Sequence, residues 1–160
     1  MASRCQLRPT DLADLPALVA LERAAFSDPW TASQLAQALD DESAVALVLE
    51  DGPGEVVGSV LARVVADEAE VLTIAVAPSH RRRGLGRRLL DAAIAAAADR
   101  GAATVWLEVR ASNRAARGMY ESAGFVAAGL RRGYYRRPPE DAVVLCHRVV
   151  PLASAGTPVR

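Results

Sequence analysis

The chain has 160 residues, 51% apolar and 24% charged, which fits one domain with a core of its own and excludes wholesale disorder. Nineteen arginines offset nineteen acidic residues, so the net charge is zero, and neither a general nucleic-acid coat nor an acidic tail is expected. The balance is uneven along the chain: residues 1–80 hold 4 arginines and 13 acidic residues, whereas residues 81–160 hold 15 and 6, so either an anionic ligand is expected on structure built by the second half or the two halves interleave into a surface of mixed charge.

In chain order, Gln6 to Arg8 reads as a short strand ended by Pro9. Thr10 or Asp11 caps a helix to about Ala25, with Leu12, Leu15, Leu18 and Val19 on one face. Phe26-Ser27-Asp28-Pro29-Trp30 breaks it, and Thr31 caps a second helix to about Leu39. Val45 to Leu49 is a strand, Asp51 to Gly54 a turn, and Glu55–Val65 with Glu70–Val76 a hairpin around Ala66-Asp67-Glu68. The helix from Gly84 to about Arg100 is alanine-rich and stops at Gly101. Thr104 to Val109 is a strand of buried type, and Asn113 to Ala123 a helix stopped by Gly124. Phe125–Gly129 and Ala142–Val149 are the last strands, with a basic, aromatic loop between them. The order β-α-α-β-β-β-α-β-α-β-β predicts one α/β domain over residues 1–150 and a loose tail over 151–160.

Two cysteines, Cys5 and Cys146, and two distant histidines, His80 and His147, supply no disulfide framework and no four-ligand metal site, so no metal is expected. Both cysteines read as packing residues in peripheral strands. The first residues lack a signal-peptide core, and the longest aliphatic run, residues 92–98, is too short to span a bilayer. The expectation is a cytoplasmic protein with neither nucleic acid nor membrane as partner.

Two segments carry chemistry. His80-Arg81-Arg82-Arg83-Gly84-Leu85-Gly86-Arg87-Arg88 lies between a strand and a helix, where main-chain N–H groups cradle phosphate. Gly84 and Gly86 open the approach, and the arginines add positive charge. Neither a P-loop nor a dinucleotide fingerprint fits the spacing. Read alone, the stretch is equally a glycine-containing helix start with a solvated basic face. In the second segment, Glu108 interrupts the apolar strand Val105-Trp106-Leu107-Glu108-Val109, so it is solvated, paired or functional. Tyr120 falls late on the helix that follows, as an aromatic of the core or as a functional hydroxyl.

Arg81-x-x-Gly84-x-Gly86 resembles the (Q/R)xxGx(G/A) loop of the GNAT superfamily of N-acetyltransferases, and Leu72–Val76 resembles the strand before it. WLEVRASN (106–113), YESAGF (120–125), RRGYY (131–135) and FSDPW (26–30), in this order and spacing, resemble bacterial ribosomal-protein-alanine N-acetyltransferases over roughly residues 6–149. The resemblance implies a mixed, mostly antiparallel central sheet with helices on both faces, splayed between two central parallel strands. It implies acetyl-CoA as cosubstrate, held by Ile74, Ala75, Val76, Arg81, Arg82, Arg83, Gly84, Leu85, Gly86, Arg87, Asn113 and Tyr120. Glu108 is then the base, Tyr120 the acid for the departing thiolate, and a main-chain N–H near Val76 the oxyanion donor. Trp30 and Tyr134 become walls for a peptide whose N-terminal α-amine is acetylated, with the N-terminal alanine of a small-subunit ribosomal protein as the implied target. Lysine side chains or small amines remain an alternative acceptor class. A non-catalytic coenzyme A-binding module is a further alternative, disfavoured by the presence of both Glu108 and Tyr120.

Overall fold

The computed structural model describes residues 4–149, so the expected tail at 151–160 lies outside the described residues. The elements are β1 (Gln6–Pro9), α1 (Leu15–Ala25), α2 (Ala32–Asp40), β2 (Ala44–Glu50), β3 (Val56–Val65), β4 (Glu68–Val76), α3 (Leu85–Asp99), β5 (Thr104–Arg110), α4 (Arg114–Ser122), β6 (Val126–Arg136) and β7 (Pro139–Arg148).

The first helix starts later than the apolar pattern suggests. Asp11 accepts from the Ala13 N–H at 2.9 Å, and Asp14 accepts from the Asp11 N–H at 2.7 Å, closing a 3-10 turn over Leu12–Asp14. Pro16 follows and is tolerated only in the first turn of α1, where its missing N–H has no helical partner to lose. Thr31 and Gln34 form the reciprocal cap of α2, at 3.1 and 2.9 Å.

The seven strands form one sheet in the order β1-β2-β3-β4-β5-β7-β6, antiparallel throughout except for β4 beside β5. That parallel ladder is short: it runs from Glu68 opposite Thr104 to Glu70 opposite Trp106 and then ends. Beyond it, Val71–Val76 and Leu107–Arg110 diverge, which is the splay the resemblance implied. A register shift between β3 and β4 at Leu61/Ala62 leaves Leu72 as the extra residue of a bulge. Leu72 packs under α1 and α2, and Thr73 points to the same side, where it bonds Glu22.

Helices cover both faces. The α3/α4 face buries Val60, Val71, Leu89, Leu90, Val105, Leu107, Phe125 and Leu145 among others. The α1/α2 face buries the smaller set Leu18, Leu35, Val48 and Leu61. Close approach of α3 needs Gly58, where an added Cβ would lie 3.0 Å from Leu89 Cδ1. Among the described residues no helix is long and apolar enough to cross a membrane.

Two expectations are corrected. The basic stretch 131–137 is not a loop: β6 runs through Arg136, and β7 begins at Pro139, so the two form one long hairpin. As an edge strand with almost every residue exposed, β6 shows no in/out alternation for a sequence pattern to reveal. Cys146 is not peripheral either, because β7 lies inside the sheet, paired to both β5 and β6.

Candidate active site

Val105, Leu107 and Val109 of β5 enter the α3/α4 core, so strand alternation turns Trp106, Glu108 and Arg110 to the opposite face. Ala69 and Val71 do the same on β4 and turn Glu70 to that face. Glu70 lies on the last rung before the splay, and Glu108 is the next residue of β5 on this face beyond it. Two carboxylates therefore flank the mouth of the opening. Each has an arginine on its outer side: Arg63 Nη2 lies 2.8 Å from Glu70 Oε2, and Arg131 Nε lies 3.3 Å from Glu108 Oε1. The Glu108 side chain is only 16% exposed. Burial and then the Glu70 charge push its carboxyl above the ordinary range, against the opposing pull of Arg131.

Tyr120 sits late on α4, packed against the core and edge-to-face with Phe125 at 5.8 Å. Burial pushes its hydroxyl up to about 12, so it keeps its proton throughout the neutral range. Tyr134 is exposed, and its hydroxyl is also raised, first by burial and then by Glu108. Tyr135 is pushed up to about 12 by burial, with smaller contributions from Tyr134 and Glu108, and Arg110 lies 4.3 Å over its ring. Arg131 lies 5.6 Å from the Tyr134 ring, so one guanidinium faces both the carboxylate and the tyrosine.

The loop before α3 has the features of an anion cradle. His80 is buried and anchors it, with Nε2 2.7 Å from Asp51 Oδ2 and Nδ1 2.7 Å from Ser79 Oγ. Arg82 and Gly84 both take positive φ, 62° and 74°. Gly84 accepts the first helical bond, from the Arg88 N–H at 3.1 Å, which leaves the N–H groups of Leu85, Gly86 and Arg87 without intrahelical partners. Among the described residues nothing beyond its chain neighbours lies within 4 Å of where a Gly84 Cβ would stand, so the approach to these groups is open. Gly86 serves a different purpose: a Cβ there would lie 3.3 Å from Met119 Sδ, so this glycine lets α3 pack on α4.

The arginines of the loop divide by partner. Arg81 Nε donates to the Val76 carbonyl at 3.3 Å, and Arg83 donates to the Ser79 carbonyl at 3.4 Å. Arg87 bonds Asp91 at 2.9 Å and Ser122 at 3.1 Å. Arg88 is drawn away to the Cys5 carbonyl at 2.6 Å. Asn113 caps α4 by accepting from the Ala116 N–H at 3.2 Å. Pyrophosphate charge fits the cradle, and the amides of an extended arm fit the edge of Ile74, Ala75 and Val76 that β5 does not pair, where Arg81 already occupies the Val76 carbonyl.

Trp30 and Tyr134 come from segments that the fold brings together. Ser27 Oγ donates to the Arg137 carbonyl at 2.6 Å. Arg110 donates to the carbonyls of Arg137 and Pro138 at 3.0 and 2.9 Å. The α1–α2 turn is thereby joined to the tip of the β6–β7 hairpin, over the end of β5. Trp30 is half-buried against the α1/α2 core, and it lines a cleft of about 340 Å³ with Gln34, Gln37, Asp41, Arg63 and Leu72. Glu70 and Arg63 escaped the sequence reading, and Arg131 and Tyr135, though within the RRGYY segment, had no role assigned there. The Arg63–Glu70 pair alone left a signal, as partners across the hairpin.

The family model described as "Acetyltransferase (GNAT) family" matches residues 15–125. The [Ribosomal protein bS18]-alanine N-acetyltransferase of Escherichia coli strain K12 is 40% identical over 134 residues, 82% of this chain and 89% of that protein. The crystal structure of the ribosomal-protein-S18-alanine N-acetyltransferase from Escherichia coli superposes with a TM-score of 0.86 at 37% identity, covering 98% of this chain and 99% of that one. The NatC complex bound to Gag peptide and CoA shares the fold, with a TM-score of 0.83 at 21% identity over 91% of this chain and 99% of the other.

Proposed function

This chain belongs to the acetyltransferase (GNAT) family, and we propose that it acetylates the N-terminal α-amine of a protein, the N-terminal alanine of a small-subunit ribosomal protein, by direct transfer in a ternary complex. Acetyl-CoA supplies an activated acetyl thioester and a thiol leaving group. The observation that carries the reading is Glu108, half-buried with a raised carboxyl at the mouth of the β4–β5 splay; Tyr120 of α4, which keeps its proton, is the second group assigned.

The roles follow from the chemistry of an α-amine, whose pKa of about 7.7–8.0 leaves part of it neutral at physiological pH. A carboxylate of raised basicity then serves to take the remaining proton, and Glu108 is raised and keeps a solvent-facing edge. Tyr120 keeps its proton until a departing thiolate needs one. A main-chain N–H near Val76 is the donor for charge developing on the acetyl oxygen. The N–H groups at the start of α3, with Arg81, Arg82, Arg83 and Arg87, hold the pyrophosphate. The edge of Ile74, Ala75 and Val76 holds the arm, and Asn113 and Tyr120 border it from α4. Trp30 and Tyr134 wall the acceptor peptide. No residue in this scheme holds a metal.

Calorimetric titration with acetyl-CoA, followed by thiol release against a panel of amines, tests this reading. Binding with release only for α-amine peptides is the expected result. Release with lysine or small amines alone overturns the acceptor assignment, and binding without release to any amine overturns the catalytic one.

A further inference from the structure

Glu22 is 1% exposed, set in α1 among the apolar residues of the α1/α2 face. A carboxylate is a costly choice for such a position, because an aliphatic side chain of similar volume fills the space without desolvation. Its two oxygens reach different elements. Thr73 Oγ1, on the bulge of β4, donates to Oε1 at 2.5 Å, and the Trp30 main-chain N–H donates to Oε2 at 3.4 Å. Thr73 directly precedes Ile74-Ala75-Val76, and Trp30 closes the turn before α2. A cavity of about 10 Å³, room for one water, adjoins the carboxylate between Thr10, Ser59 and Thr73. Thr10 Oγ1 is buried there with no hydrogen-bond partner among the described residues.

We infer that Glu22 is a positioning residue: its buried carboxylate ties the α1–α2 turn, through the Trp30 N–H, to the β4 bulge, through the Thr73 hydroxyl, and so fixes the acceptor wall against the strand that holds acetyl-CoA. The inference rests on the reading of Trp30 as that wall. The two ends of the tie are unequal. β4 is laddered to β3 along its length, whereas the turn at 26–31 belongs to no ladder and is held besides by Ser27 on Arg137 and Arg110, by the helix-end bonds of Phe26 and Thr31, and by Trp30 packing on the α1/α2 core. Cutting the tie therefore frees the turn and leaves the strand in place.

Three variants test it at a temperature well below melting. Glu22→Leu keeps the bulk and deletes both bonds. Glu22→Gln restores both, because its amide oxygen accepts from Trp30 while its amide nitrogen donates to Thr73. Trp30→Ala reports on the wall itself. Glu22→Leu is expected to raise KM for the acceptor peptide about tenfold, to quicken amide exchange over residues 26–31, and to leave acetyl-CoA affinity within about twofold. Glu22→Gln is expected to stay near the parent on all three readouts. A parental KM and exchange in Glu22→Leu, with only the melting temperature moved, overturns the inference, as does an equal loss of acetyl-CoA affinity or a Gln variant as impaired as Leu. If Trp30→Ala leaves KM unchanged, it is the wall that fails, and the exchange rates still decide the tie. If Glu22→Leu does not fold, Thr73→Val cuts the β4 end and is expected to move KM and exchange in the same direction; no movement there overturns the tie.

Discussion

Replacing Glu108 by Gln removes one charge from a side chain that is only 16% exposed, and the structure predicts opposite effects on activity and on stability. With Glu108 as the proposed general base, turnover is expected to fall by about 10²–10⁴ at neutral pH. Stability is governed by three contributions. The ion pair with Arg131 is lost, but that guanidinium is 58% exposed and screened, so the loss is about 0.2–1 kcal/mol at most. The cost of burying the carboxylate and its repulsion from Glu70 are lost too, and these favour the variant. The raised carboxyl gives the sign of the pH dependence: folded Glu108 binds its proton more tightly than unfolded, so its contribution to stability is present at low pH and lost as pH rises through the folded value. Glu108→Gln is therefore expected to melt at or above the parent at mildly alkaline pH, with the advantage vanishing towards acid pH. Steady-state thiol release and thermal melts across that range check both halves. A variant that stays fully active, or that melts more than about 4 °C below the parent at alkaline pH, refutes the reasoning.

Tyr120→Phe keeps the edge-to-face packing on Phe125 and removes only the hydroxyl, so turnover is expected to fall about 10²-fold with acetyl-CoA affinity unchanged; retained turnover makes Tyr120 a core residue. Gly84→Glu puts an anion into the open approach and is expected to weaken acetyl-CoA binding about tenfold or more by calorimetry. Because φ is +74° there, Gly84→Asn, which tolerates that conformation, separates backbone strain from the charge effect. Glu70→Gln removes the carboxylate that helps hold Glu108 up, so the acid limb of the kcat/KM profile is expected to move to lower pH; a limb that stays or rises refutes that coupling.

What the sequence made legible is what local chemistry decides. Thr31 before α2, Gly84 before α3 and Gly101 after it each act within a few residues, and the elements they bound appear where their signals place them. Strand alternation was enough to turn Glu108 away from the aliphatic core. The edge strand β6 was not legible, since solvent on both faces erases the alternation and Arg131, Arg132 and Gly133 imitate a loop. The partners of Glu108 were hidden for a related reason: Glu70 meets it across a parallel pairing, and Arg131 reaches it from β6, a strand not paired with β5. Glu22 reads as one polar residue on a helix, and only the packed fold shows that both of its oxygens are used. Gly86 belonged to the motif, yet its packing against Met119 depends on where α4 lies.

In the proposed reaction Glu108 and Tyr120 serve an α-amine, and locating the acetyl group decides whether they do. The protein is given acetyl-CoA and an equimolar mixture of two peptides, one with a free N-terminal alanine and no lysine, the other with a blocked N-terminus and an internal lysine, and the products are sequenced by mass spectrometry. Acetyl is expected on the N-terminal nitrogen of the alanine peptide, well ahead of the lysine peptide, with Glu108→Gln abolishing the preferred product. Acetyl placed first on the internal lysine would contradict it.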